Sequence, residues 1–346
     1  MKKFLIFLFL PCLSFAQIDS ADIIVGRLMD QQKIVGLSLA VVKNGRPIIN
    51  KAYGLADAEL NVPVTSETVM RLASVSKQFF ATAILKLMEE GKLSIEDPVH
   101  KFFSDAPETW RPIKIKNLLS HTSGLQREGP AYEMFINQPD LNVIRSAYPL
   151  PLDFKTGEKY QYSNLGYFML AEIIKQVSGM SWQNYIHDKL FVPAGMMNSY
   201  TTDFYSITPN RASGYMHKHD TLVNALIMYA IRPSGGFQST ASDMIKWEKT
   251  VSEKNVILKK DNWEKLWQPF IKMSGEAESK AYYGFGWAID EYSGHKIVVH
   301  GGSTPGFKSV YMRFVNDGLS IIVLCNTEEA NPHTIGFALA DYYFRK

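Results

Sequence analysis

Strand-forming segments lie at both ends of this chain. Near the N-terminus, VGLSLAVV (35–42) and RPIINKAYG (46–54) flank Lys43-Asn44-Gly45. An Asn-Gly pair between two apolar, β-branched runs predicts a β-hairpin. The C-terminal third contains four further predicted strands, GFGWAID, KIVVHGG, FKSVYMRFV and LSIIVLCN. A helical pattern at residues 19–33 precedes the first predicted strand, and another at residues 334–345 follows the last.

The middle of the chain has helical spacing instead, in segments 74–90, 164–177, 181–192 and 241–252. Gly91 and Gly179 stand where helices end, and Thr240 with Asp243 resembles a capping box. These patterns predict an α/β (α+β) fold. We expect an antiparallel sheet built from both chain ends and flanked by helices, with an inserted, mainly helical lobe within about residues 74–252. The cleft between the lobes is the expected site.

The first residues are typical of a secretory signal peptide. Lys2 and Lys3 precede an apolar run that is too short to span a bilayer and ends at Ala16. We therefore expect residues 1–16 to be removed and residues 17–346 to form one exported domain, periplasmic or secreted. A lipoprotein attached through Cys12 is a less favoured alternative, because a proline precedes that cysteine, and an uncleaved anchor is another.

Charge and cysteine content exclude several classes of protein. Without its first 16 residues the chain has 35 basic side chains, since two of the 37 are lost, against 34 acidic ones. This balance gives no reason to expect a nucleic acid or an anionic membrane as partner. Cys325 is then the single cysteine, so we expect no intramolecular disulfide. No later segment has the length and apolar character of a membrane span.

The stretch RLASVSKQFF (71–80) contains the first candidate site. Ser74 and Lys77 are three residues apart, so on a helix their side chains share a face, whereas Ser76 does not face Lys77. A lysine with a lowered pKa is able to take the proton of a serine. The alternative is a capping serine with an exposed lysine. A second Ser-x-x-Lys, beginning at Ser293, is interpreted as a loop entering a strand.

Two further stretches carry candidate catalytic groups. In KYQYSNLGYFML, Tyr162 is a candidate base near Lys77, and Asn164 is able to donate its amide to a substrate carbonyl. The alternatives are a buried tyrosine with a satisfied hydroxyl and a helix-capping asparagine. In KIVVHGGSTPGF, His300 is able to supply charge or a proton, or it stands by chance in a glycine-rich turn.

The same stretch also carries candidate substrate-binding groups. Gly302 lets another backbone approach closely, and the Ser303 N–H, with that of Ser74, is a candidate oxyanion donor.

The order of these three motifs resembles the serine β-lactamase and penicillin-binding protein superfamily, in its class C-like branch. Further stretches share the resemblance, which covers nearly the whole chain from residue 20: IKIKNLLSHTSGL, TGEKYQYSNLGY, PSGGFQSTASDMIKW and YGFGWAID. It implies that Ser74 is the acylated nucleophile and Lys77 its proton partner. It further implies that Tyr162 is the general base that protonates the leaving group, that Asn164 contacts substrate, and that Ser74 and Ser303 form the oxyanion hole.

His300 departs from the superfamily pattern, since many members have lysine there. A histidine is mostly neutral at pH 7.5, so we expect weaker capture of substrate carboxylates and at most slow turnover of penicillins. We find no acidic deacylation motif of the class A type, which leaves water activation to Tyr162 and Lys77. Members with His-x-Gly include esterases and D-amino-acid peptidases.

We therefore expect a serine hydrolase that acts through an acyl-enzyme on small-molecule or peptide esters and amides, including D-amino-acid peptides or β-lactams. The alternatives are a β-lactamase or DD-carboxypeptidase proper, and a non-catalytic penicillin-binding sensor. We expect no cofactor and no metal, because the eight histidines are scattered. His121 is expected to be a cap or a satisfied structural residue. The oligomeric state stays open.

Overall fold

The computed structural model describes residues 20–203, 205–226, 230, 232–253, 255–273 and 281–345. The predicted signal peptide, residues 1–16, lies outside these residues. No helix in the described part of the chain is long and apolar enough to cross a membrane. Cys325 is buried as a free thiol.

The strands, in chain order, are β1 Gly36–Lys43, β2 Arg46–Asp57, β3 Val62–Pro63, β4 Met70–Arg71, β5 Tyr200–Thr201, β6 Tyr215–Lys218, β7 Thr221–Asn224, β8 Phe237–Ser239, β9 Ile271–Lys272, β10 Tyr282–Tyr283, β11 Ala288–Tyr292, β12 His295–Thr304, β13 Phe307–Phe314 and β14 Leu319–Cys325. Nine of them form the main sheet in the order β3-β2-β1-β14-β13-β12-β11-β10-β9, and two smaller sheets have the orders β4-β8-β5 and β6-β7.

The helices are α1 Ser20–Gln32, α2 Lys77–Glu89, α3 Ile115–Leu119, α4 Asp140–Ser146, α5 Asn164–Ser178, α6 Trp182–Ile186, α7 Val192–Ala194, α8 Ala241–Glu253, α9 Lys260–Leu266 and α10 Pro332–Phe344. A π-helical turn, His187–Phe191, joins α6 to α7. Short 3₁₀ helices cover Ala73–Ser76, Val99–Lys101, Glu108–Trp110 and Pro233–Gly235.

The main sheet confirms the prediction that both chain ends build it. β1 pairs with β14 in antiparallel register, with Leu39 opposite Val323, and this pair joins the N-terminal hairpin to the C-terminal strands. The hairpin turns at Asn44 and Gly45, whose positive φ angles of 51° and 74° are those that a two-residue hairpin turn requires. β1 is buried on both faces over seven of its eight residues, as a central strand should be.

Helices cover both faces of the sheet. α1 and α10 cover one face with a core that includes Val25, Leu339 and Ile321. The helical middle covers the other face, where Phe79 of α2 and Trp247 of α8 pack edge to face with ring centroids 4.9 Å apart. α2 is therefore buried between the sheet and the other helices, which places the residues at its N-terminus deep in the molecule.

Several local predictions differ from the structure. GFGWAID is not one strand, because Gly284 and Gly286 turn the chain between β10 and β11. The predicted helix 181–192 is interrupted by the π-helical turn. Thr240 caps α8 by accepting from the Asp243 N–H at 3.0 Å, but the Asp243 carboxylate accepts from Asn198 instead of completing a capping box.

Candidate active site

Ser74 lies in the 3₁₀ turn that precedes α2. Ala73, just before it, has a positive φ of 46°, a strained conformation for a residue with a side chain. The turn directs Ser74 toward Lys77, with 3.3 Å between Lys77 Nζ and Ser74 Oγ. Ser76 faces away and accepts a hydrogen bond from the Phe237 N–H at 3.2 Å. The structure thus pairs Lys77 with the serine that the spacing predicted.

Lys77 is completely buried. Its ammonium nitrogen donates to Asn164 Oδ1 at 2.9 Å and to the Ser234 carbonyl at 2.7 Å. Burial lowers the pKa of Lys77 well below that of an ordinary lysine, and the nearby cations Arg232 and Arg127 lower it further while Glu128 opposes them. A buried lysine beside cations is the kind of amine that loses its proton readily and accepts one from a serine.

Tyr162 lies directly before Ser163, the N-cap of α5. Burial raises its pKa to about 12, although a hydrogen bond with Ser74 has the opposite effect. Lys77 Nζ lies 4.7 Å from the centroid of the Tyr162 ring. Tyr162 is therefore a phenol at neutral pH in the resting site, and it lies close enough to exchange protons with Ser74.

Asn164 links Lys77 to an ion pair that the sequence analysis missed. Its Nδ2 donates to Glu128 Oε1 at 2.6 Å, and the same oxygen lies 2.6 Å from Arg232 Nη2. Both atoms of the Asn164 amide thus have protein partners, which makes this residue a support for Lys77. The predicted contact of Asn164 with substrate remains a prediction.

His300 lies on β12, beside Tyr162, and its hydrogen bonds define its protonation. Nδ1 lies 2.7 Å from the Gly301 carbonyl, which only accepts, so Nδ1 carries the proton. Nε2 lies 3.0 Å from the Tyr283 hydroxyl and accepts from it. Burial and the charge of Lys77 lower the pKa of His300 to about 3. The imidazole is thus neutral, and its two nitrogens face Gly301 and Tyr283. The predicted catalytic role of His300 stays a prediction.

Gly302 brings β12 against the segment before Ser74. A Cβ atom at this position would lie 2.2 Å from the Leu72 carbonyl oxygen, and Ser309 Oγ donates to that same oxygen at 2.7 Å. Only glycine permits this approach. The close contact places Ser303 next to Ser74, and both line the cavities described below, which supports the predicted pair of backbone oxyanion donors.

His121 has a structural role. It has a positive φ of 59°, and its Nδ1 accepts the Ser163 N–H at 3.1 Å. Its ring lies 4.3 Å from that of Tyr162. His121 therefore fixes the backbone at the start of α5 and supports the tyrosine, as a structural residue would. It caps no helix, and its buried Nε2 has no hydrogen-bond partner, so it is not the fully satisfied residue that was expected.

Five of the site residues that were missed are Arg127, Glu128, Arg232, Ser234 and Tyr283. Each adjoins or lies within a stretch that carries the family resemblance: Glu128 follows SHTSGL, Arg232 precedes PSGGF, and Tyr283 begins YGFGWAID. A position in or near such a stretch was the signal that could have identified these residues. The local sequence does not indicate which of their side chains face Lys77.

Two cavities meet at Ser74, Arg127 and Ser303. One, of about 110 Å³, is also lined by Arg71, Glu128, Arg232 and Asn164. The other, of about 620 Å³, is more open and is also lined by Tyr162, His300 and His333. Among the described residues, no group of three or more His, Cys, Asp or Glu side chains is placed to hold a metal ion.

This arrangement, a serine with a buried lysine and a phenol in a cleft beside the sheet, corresponds to a known family. Residues 21–340 match the family described as Beta-lactamase. The chain belongs to the beta-lactamase family. It is therefore a member of the superfamily of serine β-lactamases and penicillin-binding proteins, which are serine hydrolases that form an acyl-enzyme.

Relatives and solved structures agree with this membership. Penicillin-binding protein 4* of Bacillus subtilis is 28% identical over 327 residues, which cover 87% of this chain and 70% of that protein. Protein flp of Staphylococcus aureus is 29% identical over 88% of this chain and 62% of its own length. The octameric penicillin-binding protein homologue of Pyrococcus abyssi superposes with a TM-score of 0.84 at 29% identity, covering 93% of this chain and 76% of that one.

The fold also matches the D-amino acid amidase of Ochrobactrum anthropi SV3. That structure superposes with a TM-score of 0.81 at 21% identity and covers 93% of this chain and 99% of that one. The predicted antiparallel sheet with flanking helices is confirmed by these neighbours.

Proposed function

We propose that this protein is an exported hydrolase of esters or amides that forms an acyl-enzyme at Ser74 and releases it to water. The observation that carries the proposal is the contact between the buried Lys77 amine and Ser74 Oγ at 3.3 Å. Burial lowers the pKa of Lys77 well below its usual value, and the charge of Arg232 lowers it further, which makes the amine a better base toward Ser74. The Tyr162 hydroxyl completes the set as a protonated phenol.

Acylation then proceeds in balanced proton steps. Lys77 Nζ takes the proton of Ser74 as Oγ bonds to the substrate carbonyl carbon. The bond to the leaving group breaks as the Tyr162 phenol protonates that group, and Lys77 returns its proton to the phenolate. The backbone N–H groups of Ser74 and Ser303 stabilise the oxyanion, a contribution worth roughly 10²–10³ in rate for one donor.

Deacylation reverses the same proton path. A water molecule replaces the leaving group, gives a proton to the amine of Lys77 through Tyr162, and attacks the acyl carbon. The Ser74 oxygen departs and recovers its proton. A neutral His300 suits esters and amides that do not require a cation at that position. We include D-amino-acid peptides because the fold matches that of a D-amino acid amidase. Penicillins are expected to turn over slowly at most.

Three reagents test the proposal together: a fluorescent penicillin, a p-nitrophenyl ester and a D-alanyl peptide. Each is incubated with wild type and with Ser74→Ala, and covalent label and turnover are both followed. Ester or peptide turnover that disappears in Ser74→Ala supports the proposal. A stable label without turnover favours the sensor, whereas fast penicillin hydrolysis favours a β-lactamase proper. Turnover that survives Ser74→Ala rules out Ser74 as the nucleophile.

A further inference from the structure

We infer that the natural substrate carries an anionic group, a carboxylate or its equivalent, and that Arg127, assisted by Arg71, binds it in the cavity beside Ser74. This inference rests on the proposed function and deepens it, because it specifies the charge of the substrate.

Charge is unequally distributed around Ser74. The 110 Å³ cavity is lined by Arg71, Arg127 and Arg232, with Glu128 as the acid in the same wall. Glu128 is already paired with Arg232 at 2.6 Å and accepts from Asn164. The two other arginines therefore leave an excess of positive charge in a small space, which an anionic ligand would neutralise.

Arg127 is the arginine best placed to bind a ligand. Its guanidinium carbon lies 5.1 Å from the centroid of the Tyr162 ring, and the side chain is exposed and lines both cavities. In the described part of the chain it has no carboxylate partner. Its backbone carbonyl accepts from the N–H groups of Asn164 and Leu165 at 2.8 and 3.2 Å, so the start of α5 fixes its position.

Arg71 supplies a second cation to the same cavity. It lies on β4, half-buried, and also lines a neighbouring cavity of about 310 Å³ together with Arg211. Burial lowers the pKa of Arg71, and repulsion by the like charge of Arg211 lowers it further. An anion near Arg71 relieves this repulsion.

The other basic side chains near Ser74 are unsuited to binding an anionic substrate. His300 is held neutral by its hydrogen bonds to Tyr283 and Gly301. Lys77 is buried and already donates to Asn164 and Ser234. Lys308 lines the wider cavity but lies 3.3 Å from Glu328. The guanidinium groups of Arg127 and Arg71 are thus the cations left to bind an anion beside Ser74, and guanidinium favours bidentate binding of carboxylates.

The test uses two pairs of nitrophenyl esters of matched size. In the first pair, p-nitrophenyl hexanoate is compared with mono-p-nitrophenyl adipate, which has a carboxylate on the acyl side. In the second, p-nitrophenyl acetate is compared with a nitrophenyl acetate that has a carboxylate on its ring. The measured quantity is the ratio of kcat/KM for the charged ester to that for the neutral ester. Loss of Arg127 also changes the pKa of Lys77, but that change affects both members of a pair and cancels in the ratio.

Wild type is expected to favour the charged member of at least one pair. Arg127→Gln should lower that ratio about tenfold or more, as expected for a lost charged hydrogen bond. Arg71→Gln should lower it less, and Arg127→Lys should restore part of it. The control is Arg46→Gln, which removes an exposed arginine on β2 outside both cavities and should leave the ratio unchanged.

The outcomes separate the two proposals. An unchanged ratio in Arg127→Gln, or a wild type without preference for either charged ester, overturns the inference and leaves the hydrolase intact. Failure of wild type to hydrolyse or to be acylated by any of the four esters overturns the proposed function itself.

Discussion

At the scale of single residues, the chemistry of the site depends on the protonation of Lys77 and Tyr162. Burial acts in opposite directions on its two central groups, since it lowers the pKa of Lys77 and raises that of Tyr162 to about 12. The lowered pKa makes the amine of Lys77 the readier proton acceptor, and the phenol of Tyr162 stays protonated at neutral pH. Both shifts favour Lys77 as the first proton acceptor, and the general-base role that the family resemblance implies for Tyr162 stays a prediction.

Arg232 should control the pH at which Lys77 becomes a base. Its charge lowers the pKa of Lys77, and its removal also frees the opposing Glu128 carboxylate, so Arg232→Gln raises that pKa on both counts. The rate rises with pH as Lys77 loses its proton. We therefore expect the ascending limb of kcat/KM against pH, measured with a neutral ester, to move to higher pH, while Arg232→Lys keeps it in place. A limb that stays fixed or moves to lower pH contradicts this assignment.

His300 should contribute no titration between pH 5 and 8. Its pKa of about 3 means that the imidazole is neutral throughout this range. His300→Lys adds a cation there and should raise kcat/KM for carboxylate-bearing esters over neutral ones by about tenfold, since a charged hydrogen bond contributes roughly 1.5–3 kcal/mol. The gain should persist above pH 7. His300→Gln is the neutral control, and the account of His300 fails if the lysine variant behaves like it.

At the scale of elements, the close contact between β12 and the segment before α2 brings together the two proposed oxyanion donors, Ser74 and Ser303. Gly302→Ala places a methyl group 2.2 Å from the Leu72 carbonyl oxygen and must push the two segments apart. We expect acylation to slow by about 10²-fold or more, as for loss of one oxyanion donor. The measurement is the rate of covalent labelling at equal folded concentration.

Gly26→Ala is the matched control for that change. Gly26 lies in α1 with no atom within 4 Å of the added methyl group, so labelling should match wild type. Labelling of Gly302→Ala at the wild-type rate would show that the contact is not required for catalysis.

Elements with strong local signals could be predicted from the sequence. The Asn44-Gly45 hairpin, the end of α2 near Gly91 and the pairing of Ser74 with Lys77 each depend on residues close together in the chain. β4, β5 and β10 could not be predicted, because a strand of two residues is too short to show an alternation of apolar and polar side chains. Glu128 and Arg232 were missed for a related reason: their pairing across about a hundred residues is set by packing and not by local pattern.

At the scale of the whole molecule, a buried ion pair ties α8 to the sheet. Glu248 on α8 accepts from Arg313 Nε on β13 at 2.7 Å and also from the Tyr311 hydroxyl. Burial by itself raises the pKa of Glu248, but Arg313 and the hydrogen bonds outweigh it and hold the pKa below the usual value. The pair therefore contributes stability above the usual glutamate pKa, and this is lost as pH falls through the lowered one.

Arg313→Met should leave a buried carboxylate without its cation. We expect the free energy of unfolding in urea at pH 7 to fall by about 3–5 kcal/mol, the usual cost of breaking a buried pair from one side. Arg145→Met removes one partner of the exposed pair with Asp105 and should cost about 1 kcal/mol or less. Equal effects of the two substitutions would show that the α8 pair is not a special support of the fold.

The central claim is that Ser74 is the nucleophile and Lys77 activates it, and rapid-quench intact-mass spectrometry with a p-nitrophenyl ester tests it most directly. Wild type should gain the mass of one acyl group, located on the peptide that contains Ser74. Ser74→Ala should gain no mass, and Lys77→Ala should be acylated at least about 10²-fold more slowly. Ser76→Ala is the control and should be acylated like wild type, because the Ser76 hydroxyl binds the Phe237 N–H and not Lys77. Acylation of Ser74→Ala, or an undiminished rate in Lys77→Ala, would contradict the account.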